Sequence, residues 1–540
     1  MNEENFTLSL LEPKEESLPR AVITNQAFRD LGLEALIESQ EKMGINPGYI
    51  KDILLHPPTD VKVIEYRQEI LKDYLENQNL DRDLAELLPK AEEISYSAQT
   101  RRSIDTPILE MIWRLGELDL YLQCVEGFSS TLEKTPIKSR GLQNFRSILK
   151  NIRSAEEYQS LKDELPRMRE AIRRKRSLTV GINLNERLKP VEATILSLND
   201  TSFKKMPFIE RIFGTQSMYA AATHLHRDPS LHYSGSRKFP LSPLFQDLED
   251  MLKPAFRAIS KTLKKYLSIN AAVFSKVARQ LEFYSFARKL ANELGEKGLP
   301  VVFPSLQPQD NGTERVRGLY NPVLAFSMPG EKIVKNDFFF DKKHSAFWIL
   351  TGPNQGGKTT FLRAVGIFQV LGQSGLFIPG QSGSLSPADM VITHFPSEEA
   401  EQKEEGRLAE EASRLSGIFN RITKNSIVLL NETLSSTAPG EGVYIGREII
   451  KSFLYIGVRG VYATHLHELA EGLEELNREF SDSRIGSLVA GVKASKYGES
   501  GIQRTFRVSP GPPLGKSYAI DIAERFGISY ERIQKLFKKK

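Results

Sequence analysis

The clearest chemistry lies in Gly352-Pro353-Asn354-Gln355-Gly356-Gly357-Lys358-Thr359. This run satisfies G-x-x-x-x-G-K-[ST], follows the apolar stretch Ser345–Leu350, and precedes a helical pattern from Thr360 through Leu371. Glycines let the backbone curl so that successive N–H groups face phosphate oxygens, and the helix N-terminus adds its positive end there. Lys358 is placed to reach the β- and γ-phosphates, and the Thr359 hydroxyl to ligate Mg²⁺. Gly352 to Thr360 are thus expected to cradle a nucleotide. The plainer alternative, a glycine turn joining a strand to a helix, requires motif and context to coincide by chance.

A second element is Ser426-Ile427-Val428-Leu429-Leu430-Asn431-Glu432. An apolar strand ending in polar residues is common alone, but beside a P-loop it reads as a Walker B segment. Glu432 is the expected base that polarises the attacking water. Asn431 stands where an Asp normally holds Mg²⁺ or its water; an amide accepts hydrogen bonds but brings no negative charge. A third element is Gly460-Val461-Tyr462-Ala463-Thr464-His465-Leu466-His467-Glu468. Here His465 suits a switch residue contacting the γ-phosphate. A metal pair of His465 and His467 on one strand face, or plain strand-end polarity, are the competing readings.

These residues need a scaffold, and the pattern around them supplies one. Short apolar runs at Phe347–Leu350, Ile427–Leu430 and Gly460–Ala463 alternate with helical stretches, which predicts a P-loop α/β domain with a largely parallel sheet. Before it the chain reads as helices. Val63, Tyr66, Ile70, Leu71 and Tyr74 repeat at helical spacing, as do Phe245 to Leu267, with Pro254 inside, and Val273 to Leu294. One island, Leu178–Leu196, carries β-branched residues with Gly181 and Pro190 and predicts a hairpin; His224–Pro243 reads as a loop. Pro300, Pro304, Pro308 and Gly312 punctuate a linker-like boundary. The predicted division is a tail over 1–25, a helical core/lever region over 26–295, and an ATPase domain over 296–540.

Composition sets outer bounds. The 540 residues are 40% hydrophobic and 26% charged, close to a globular average, which excludes fibrous and wholly disordered classes. At about 150 residues per domain, that length allows three or four domains. Net charge is +5, which permits nucleic acid as a partner without demanding it. A single cysteine, Cys124, excludes internal disulfides and fits a reducing compartment. An acidic start without an apolar h-region, and a longest uncharged stretch broken by Gly and Pro, predict a soluble cytoplasmic protein with no membrane partner, nucleoid-associated if bacterial.

Taken together, these elements resemble the ATPase domain of the MutS family of DNA mismatch-repair proteins over about 220 residues, Val316 to Ile533. Thr351–Thr360 is similar to that family's Walker A loop, Ala463–Leu469 to its Ala-Thr-His strand, and Lys516-Ser517-Tyr518-Ala519-Ile520 to its C-terminal Ser-Tyr-Gly motif. Asn336-Asp337 is similar to the segment leading toward the nucleotide base. Tyr66-Arg67-Gln68-Glu69 and the helices resemble the core and levers more loosely. The resemblance implies ATP and Mg²⁺ as cofactors, a homodimer with composite sites, and duplex or branched DNA held without sequence preference, in repair or recombination.

Departures from the family pattern qualify this. Gly406 stands at the position of the signature-loop Ser that reaches the partner's γ-phosphate, within Gly406–Glu411. Leu434-Ser435-Ser436-Thr437 replaces a Gly-Arg-Gly-Thr-like run. With no Phe-x-Glu wedge near the start and nothing long after the Ser-Tyr motif, neither a mismatch-recognition domain nor a nuclease module is expected. Leu415-Ser416-Gly417 superficially suggests the signature of transporter-type or chromosome-maintenance ATPases, but continues with Ile418-Phe419 in a helical pattern. An ATP-binding scaffold with little hydrolysis is a further reading, consistent with Asn431. For DNA, the densest basic run comprises Arg173, Arg174, Lys175 and Arg176, preceded by Arg167 and Arg169. A DNA-backbone clamp and a solvated helix face beside Glu164 and Glu170 fit this run equally.

Overall fold

The structure, a computed structural model, describes residues 8–13, 18–39, 46–102, 107–173, 177–187, 190–202, 204–205, 220–221, 257, 259–266, 269, 271–396, 404–434, 438–480, 482–494, 502–513, 528, 530, 533–534 and 537. Its contacts divide the chain into two compact units. One holds residues 83–134 and 145–278; the other joins 8–82, 135–144 and 279–540. This differs from the linear division at 295/296. Residues 8–82 fall in the same unit as the nucleotide-motif region, where their apolar side chains find partners.

In the first unit, the helix Pro107–Lys134 and the helix Glu156–Arg173, with Pro166 inside it, carry the aromatic core. Phe128 stacks on Phe274 at 5.7 Å between ring centres and 9° between planes, while Tyr121 meets Phe274 and Tyr158 edge-on. Arg114 is buried, paired with Glu117 at 2.6 Å, and its guanidinium also donates to the carbonyls of Tyr266 and Ile269. The expected hairpin is present: Ser177–Leu184 pairs antiparallel with Pro190–Asn199. The loop over His224–Pro243 and the Pro254 position lie outside the described residues.

The second unit is built on a seven-stranded sheet. Its order is Val22–Ile23, Met390–His394, Ile427–Asn431, Arg459–Ala463, Phe347–Thr351, Ile485–Ala494, Ile502–Pro510. All neighbours are parallel except the last pair. Strands buried on both faces read as continuous apolar runs, as Phe347–Thr351 and Ile427–Asn431 do. Thus Val22–Ile23, within the expected tail, is an edge strand paired with Met390–Val391. Thr24 then caps the helix Asn25–Leu31 by accepting from the Ala27 amide at 3.0 Å. That helix lies on the Lys358–Gln373 helix so closely that a Cβ on Gly366 would come within 2.3 Å of Leu31.

Further upstream, Leu8, Leu10 and Leu11 are buried, and Tyr284 donates its hydroxyl to the Leu10 carbonyl. Arg67, on the helix Val61–Glu76, is fully buried; it donates to the carbonyls of Leu11 (2.8 Å) and Ser374 (3.2 Å) and faces the Phe283 ring. The Tyr66–Glu69 segment therefore ties the start of the chain to the end of the P-loop helix. The stretch expected to be a linker contains two short strands. Val301–Val302 pairs with Ile378–Pro379, and Ser305–Leu306 joins a four-stranded sheet with Ser382–Leu385, Glu314–Leu319 and Asn336–Phe340. Glu314 and Arg459 form a fully buried ion pair between the two sheets. No helix of the described residues is long and apolar enough to cross a membrane.

Candidate nucleotide-binding site

The P-loop leaves the C-terminal end of the Phe347–Thr351 strand and enters the helix Lys358–Gln373. Its glycines answer steric needs. Gly352 has φ of 144°, and a Cβ there would lie 2.7 Å from Ala490; Gly357 caps the helix at φ 91° against Phe506. Gln355 also has a left-handed φ of 60°, the kind of local strain that collects at binding loops.

Lys358 is 4% exposed. Its ammonium donates to the carbonyls of Gly352 (3.0 Å) and Pro353 (3.3 Å) and lies 3.7 Å from Glu432. Burial pulls its pKa below the ordinary lysine value, and the Glu432 carboxylate partly restores it. Glu432 follows the Ile427–Asn431 strand at φ 50°, with its amide donating to the Ala463 carbonyl at 2.8 Å. The turn that ends the strand therefore aims this carboxylate across the sheet top at the P-loop. Thr359 donates its hydroxyl to the Asn431 side-chain oxygen at 3.2 Å, so the two residues expected at Mg²⁺ do meet. As a magnesium site the pair is deficient. Its oxygens are neutral and bonded to each other, whereas Mg²⁺ is ordinarily held through one or two carboxylates together with substrate phosphates.

Beside these residues opens a cavity of about 330 Å³. One wall is polar: Gln355, Gly357, Lys358, Thr359, Thr360 and Glu432. The other is mostly apolar, with Leu319, Tyr320, Leu324, Met328, Ile333 and Phe506. A polar end that matches phosphates and an apolar end that matches a planar base suit a nucleotide. Asn336 lines the cavity and fastens the segment that carries Phe506: it donates to the Phe506 carbonyl at 3.3 Å and accepts from the Val508 amide at 2.8 Å. Pro353, Asn354 and Gly356 complete the loop without being among the cavity's lining residues. Phe506, at φ 55°, and Arg504, which donates to Gln355 at 2.9 Å, escaped the sequence reading. They stand some 150 residues beyond the P-loop, and no local spacing links them to it.

The remaining predicted residues fall as follows. The Arg459–Ala463 strand ends before Thr464, whose amide donates to the Leu350 carbonyl at 2.9 Å, and His465 is exposed just beyond. His467 opens a 3₁₀ turn, so the two histidines do not share a strand face, and no metal-ligating cluster occurs among the described residues. Glu411 lies in the helix Glu404–Phe419 and accepts from the Leu434 amide of its own chain at 2.8 Å. Leu415-Ser416-Gly417 sits within the same helix, with Leu415 in the core. Of the basic run, Arg173 ends the helix Glu156–Arg173, and 174–176 lie outside the described residues, as do 435–437 and the Ser-Tyr motif at 516–520. Nearby Arg169 pairs with Asp119, and Glu164 pairs with Lys265 and Tyr266. A residue the sequence did not single out, His394, is buried at the end of its strand. Its Nδ1 lies 2.9 Å from the Thr433 hydroxyl, next to Glu432, and its Nε2 has no hydrogen-bond partner.

Comparison with known proteins agrees with this geometry. Residues 348–538 match MutS domain V, and residues 59–297 match the MutS2 N-terminal domain. The chain is 26% identical over 272 residues to the DNA mismatch repair protein MSH2 of Saccharomyces cerevisiae, covering 50% of this chain and 28% of that protein. It is 26% identical over 289 residues to MutS of Lachnoclostridium phytofermentans, covering 53% and 28%. It is 30% identical over 202 residues to the protein named Endonuclease MutS2 of Thermus thermophilus, covering 37% and 25%. The matched stretch thus spans about a quarter of each relative's length. With its nucleotide-motif region and its helical region matched by two separate MutS descriptions, the chain belongs to the MutS family.

Proposed function

We propose that this chain is an ATPase of the MutS type, which uses ATP hydrolysis within a homodimer to switch DNA-engaging lever arms in repair or recombination. The observation that carries the reading is the convergence of Lys358, Thr359 and Glu432 on one cavity whose far wall is apolar. In this reading the apolar wall and Phe506 take the base. The loop amides from Gly352 to Thr360 and the Lys358 ammonium hold the phosphates, which draws Lys358 away from the loop carbonyls it now contacts. Glu432, freed from Lys358 by the incoming charge, accepts the proton of an in-line water, yielding ADP and phosphate. His465, exposed after the adjacent strand, is proposed to sense the γ-phosphate. The DNA contact is assigned to Arg173–Arg176, and the protein to the cytoplasm.

A steady-state turnover measurement with and without duplex DNA tests this reading. The parent chain is expected to hydrolyse ATP and to change rate with DNA, while Lys358→Ala loses turnover and keeps its circular dichroism. Parental turnover in Lys358→Ala would overturn the site assignment. One observation favours a second reading, an ATP-binding switch with little hydrolysis: the amide at Asn431 in place of an acid. It predicts bound nucleotide without measurable turnover in the same assay.

A further inference from the structure

We infer that nucleotide retention in this site does not depend on a divalent cation, because Arg504 supplies from the chain itself the positive charge that Asn431 cannot recruit. The inference rests on the nucleotide reading above and deepens it.

Two departures compensate one another. At the strand end, Asn431 offers one side-chain oxygen, already accepting from Thr359 at 3.2 Å, and its amide nitrogen is a donor that repels a cation. The one carboxylate among the cavity's lining residues, Glu432, is 3.7 Å from the Lys358 ammonium and is the group assigned to the attacking water. The lining therefore leaves no further carboxylate for a metal. On the other side, Arg504 extends from the Ile502–Pro510 strand to the tip of the P-loop, where it donates to Gln355. That contact uses one of five guanidinium N–H groups, and among the described residues no carboxylate neutralises Arg504. Gln355 lines the cavity, and Arg504, itself outside the lining, reaches its polar end through this contact. A planar fork of donors suits phosphate oxygens and, unlike a lysine, stays charged in every accessible pH range. With Lys358 on one side of the loop and Arg504 on the other, a triphosphate meets fixed cations where other P-loop sites rely on a mobile one.

The test is ATP binding by isothermal titration calorimetry on the full chain, in Mg²⁺ and again in EDTA. The parent Kd should change by less than about threefold between the two conditions, under about 0.7 kcal/mol. Arg504→Ala should weaken binding by about tenfold in EDTA, the worth of one charge-assisted hydrogen bond, and by less in Mg²⁺. Arg504→Lys should recover only part of this, since the charge returns without the fork. Asn431→Asp should make binding Mg²⁺-dependent, because a carboxylate facing the phosphates needs a cation between them. A parent chain that binds in Mg²⁺ but loses more than about a hundredfold in EDTA overturns this inference and leaves the nucleotide reading standing. Unchanged affinity in Arg504→Ala under both conditions also overturns it. No binding in either buffer overturns the nucleotide reading itself, and this inference with it.

Discussion

The Glu432 carboxylate lies 3.7 Å from the Lys358 ammonium, on a backbone held at φ 50°. The residue expected to activate water and the residue expected to hold phosphate thus neutralise each other across the strand tops. Neither is free to act until a more negative group displaces the contact, so the pair keeps the site quiet without nucleotide.

Glu432→Gln removes the base but keeps the shape, so ATP binding is expected to persist while turnover falls by about 10²–10⁴-fold. Filter binding with single-turnover kinetics separates the two effects. Equal loss of binding and turnover would exclude the general-base role.

His394 gives the fold an acid sensitivity. Burial, with a smaller contribution from the Arg414 charge, pushes its pKa down from 6.5 to about 4. The unfolded chain takes up the proton near pH 6.5 and the folded one only near 4, so stability is full above about 6.5 and declines as pH falls through that window. The lost stability amounts to about 3 kcal/mol at pH 4. His394→Phe is expected to flatten urea midpoints between pH 7 and 4.5 relative to the parent. Parallel profiles would mean that His394 protonates in the fold without strain.

Gly460 occupies the middle of the sheet, where a Cβ would lie 2.4 Å from the Phe347 ring and 2.5 Å from the Val428 carbonyl. Neither an aromatic packed on Phe453 nor a sheet backbone can withdraw easily. Gly460→Ala should destabilise the chain by about 2–3 kcal/mol, measured as a lower denaturant midpoint. Gly417→Ala, where the added methyl meets nothing within 4 Å, is the matched control and should be neutral or slightly stabilising.

The basic run bears on DNA through salt. Replacing Arg173, Arg174, Lys175 and Arg176 by Ser should flatten the slope of log K against log salt on duplex DNA by up to about 3.6. Affinity should fall alike for all sequences, because phosphate contacts carry no base code. Glu164 is engaged by Lys265 and Tyr266, so it competes less for these cations than its sequence position suggests. An unaltered slope would identify the run as a solvated helix face.

What could be read from the sequence was whatever is written locally. The P-loop spacing, the Ile427–Glu432 strand end and the helices around Val63 and Val277 each lie within one continuous stretch, and each took the expected form. Contacts between distant segments could not be read. Val22–Ile23 is too short to show alternation, and its partner is Met390–Val391. Arg504 and Phe506 reach the P-loop only because the Ile502–Pro510 strand reverses beside Ile485–Ala494. The two short strands after Pro300 looked like a linker because prolines and single apolar pairs carry no periodicity. At the Thr359–Asn431 contact, spacing gave the two positions, and only the fold brought them within hydrogen-bonding distance.

The pairing of Val22–Ile23 with Met390–Val391 has a consequence for how the protein is made. The strand that closes the sheet edge is synthesised well before its partner, which lies several hundred residues further along the chain. Until that partner is made the edge strand has no neighbour in the sheet, and Leu31 lacks the Gly366 surface of the P-loop helix until that too is made. Such long-range closure slows folding and prolongs the exposure of apolar side chains. The same pairing governs dissection. A fragment begun at residue 296 would lack the edge strand and the helix that covers Gly366, leaving the Met390–His394 backbone open for other chains to extend. The P-loop and the Ile427–Glu432 strand end would both be present in that fragment, yet it would be prone to aggregate, and a well-behaved unit must also include the Val22–Leu31 segment.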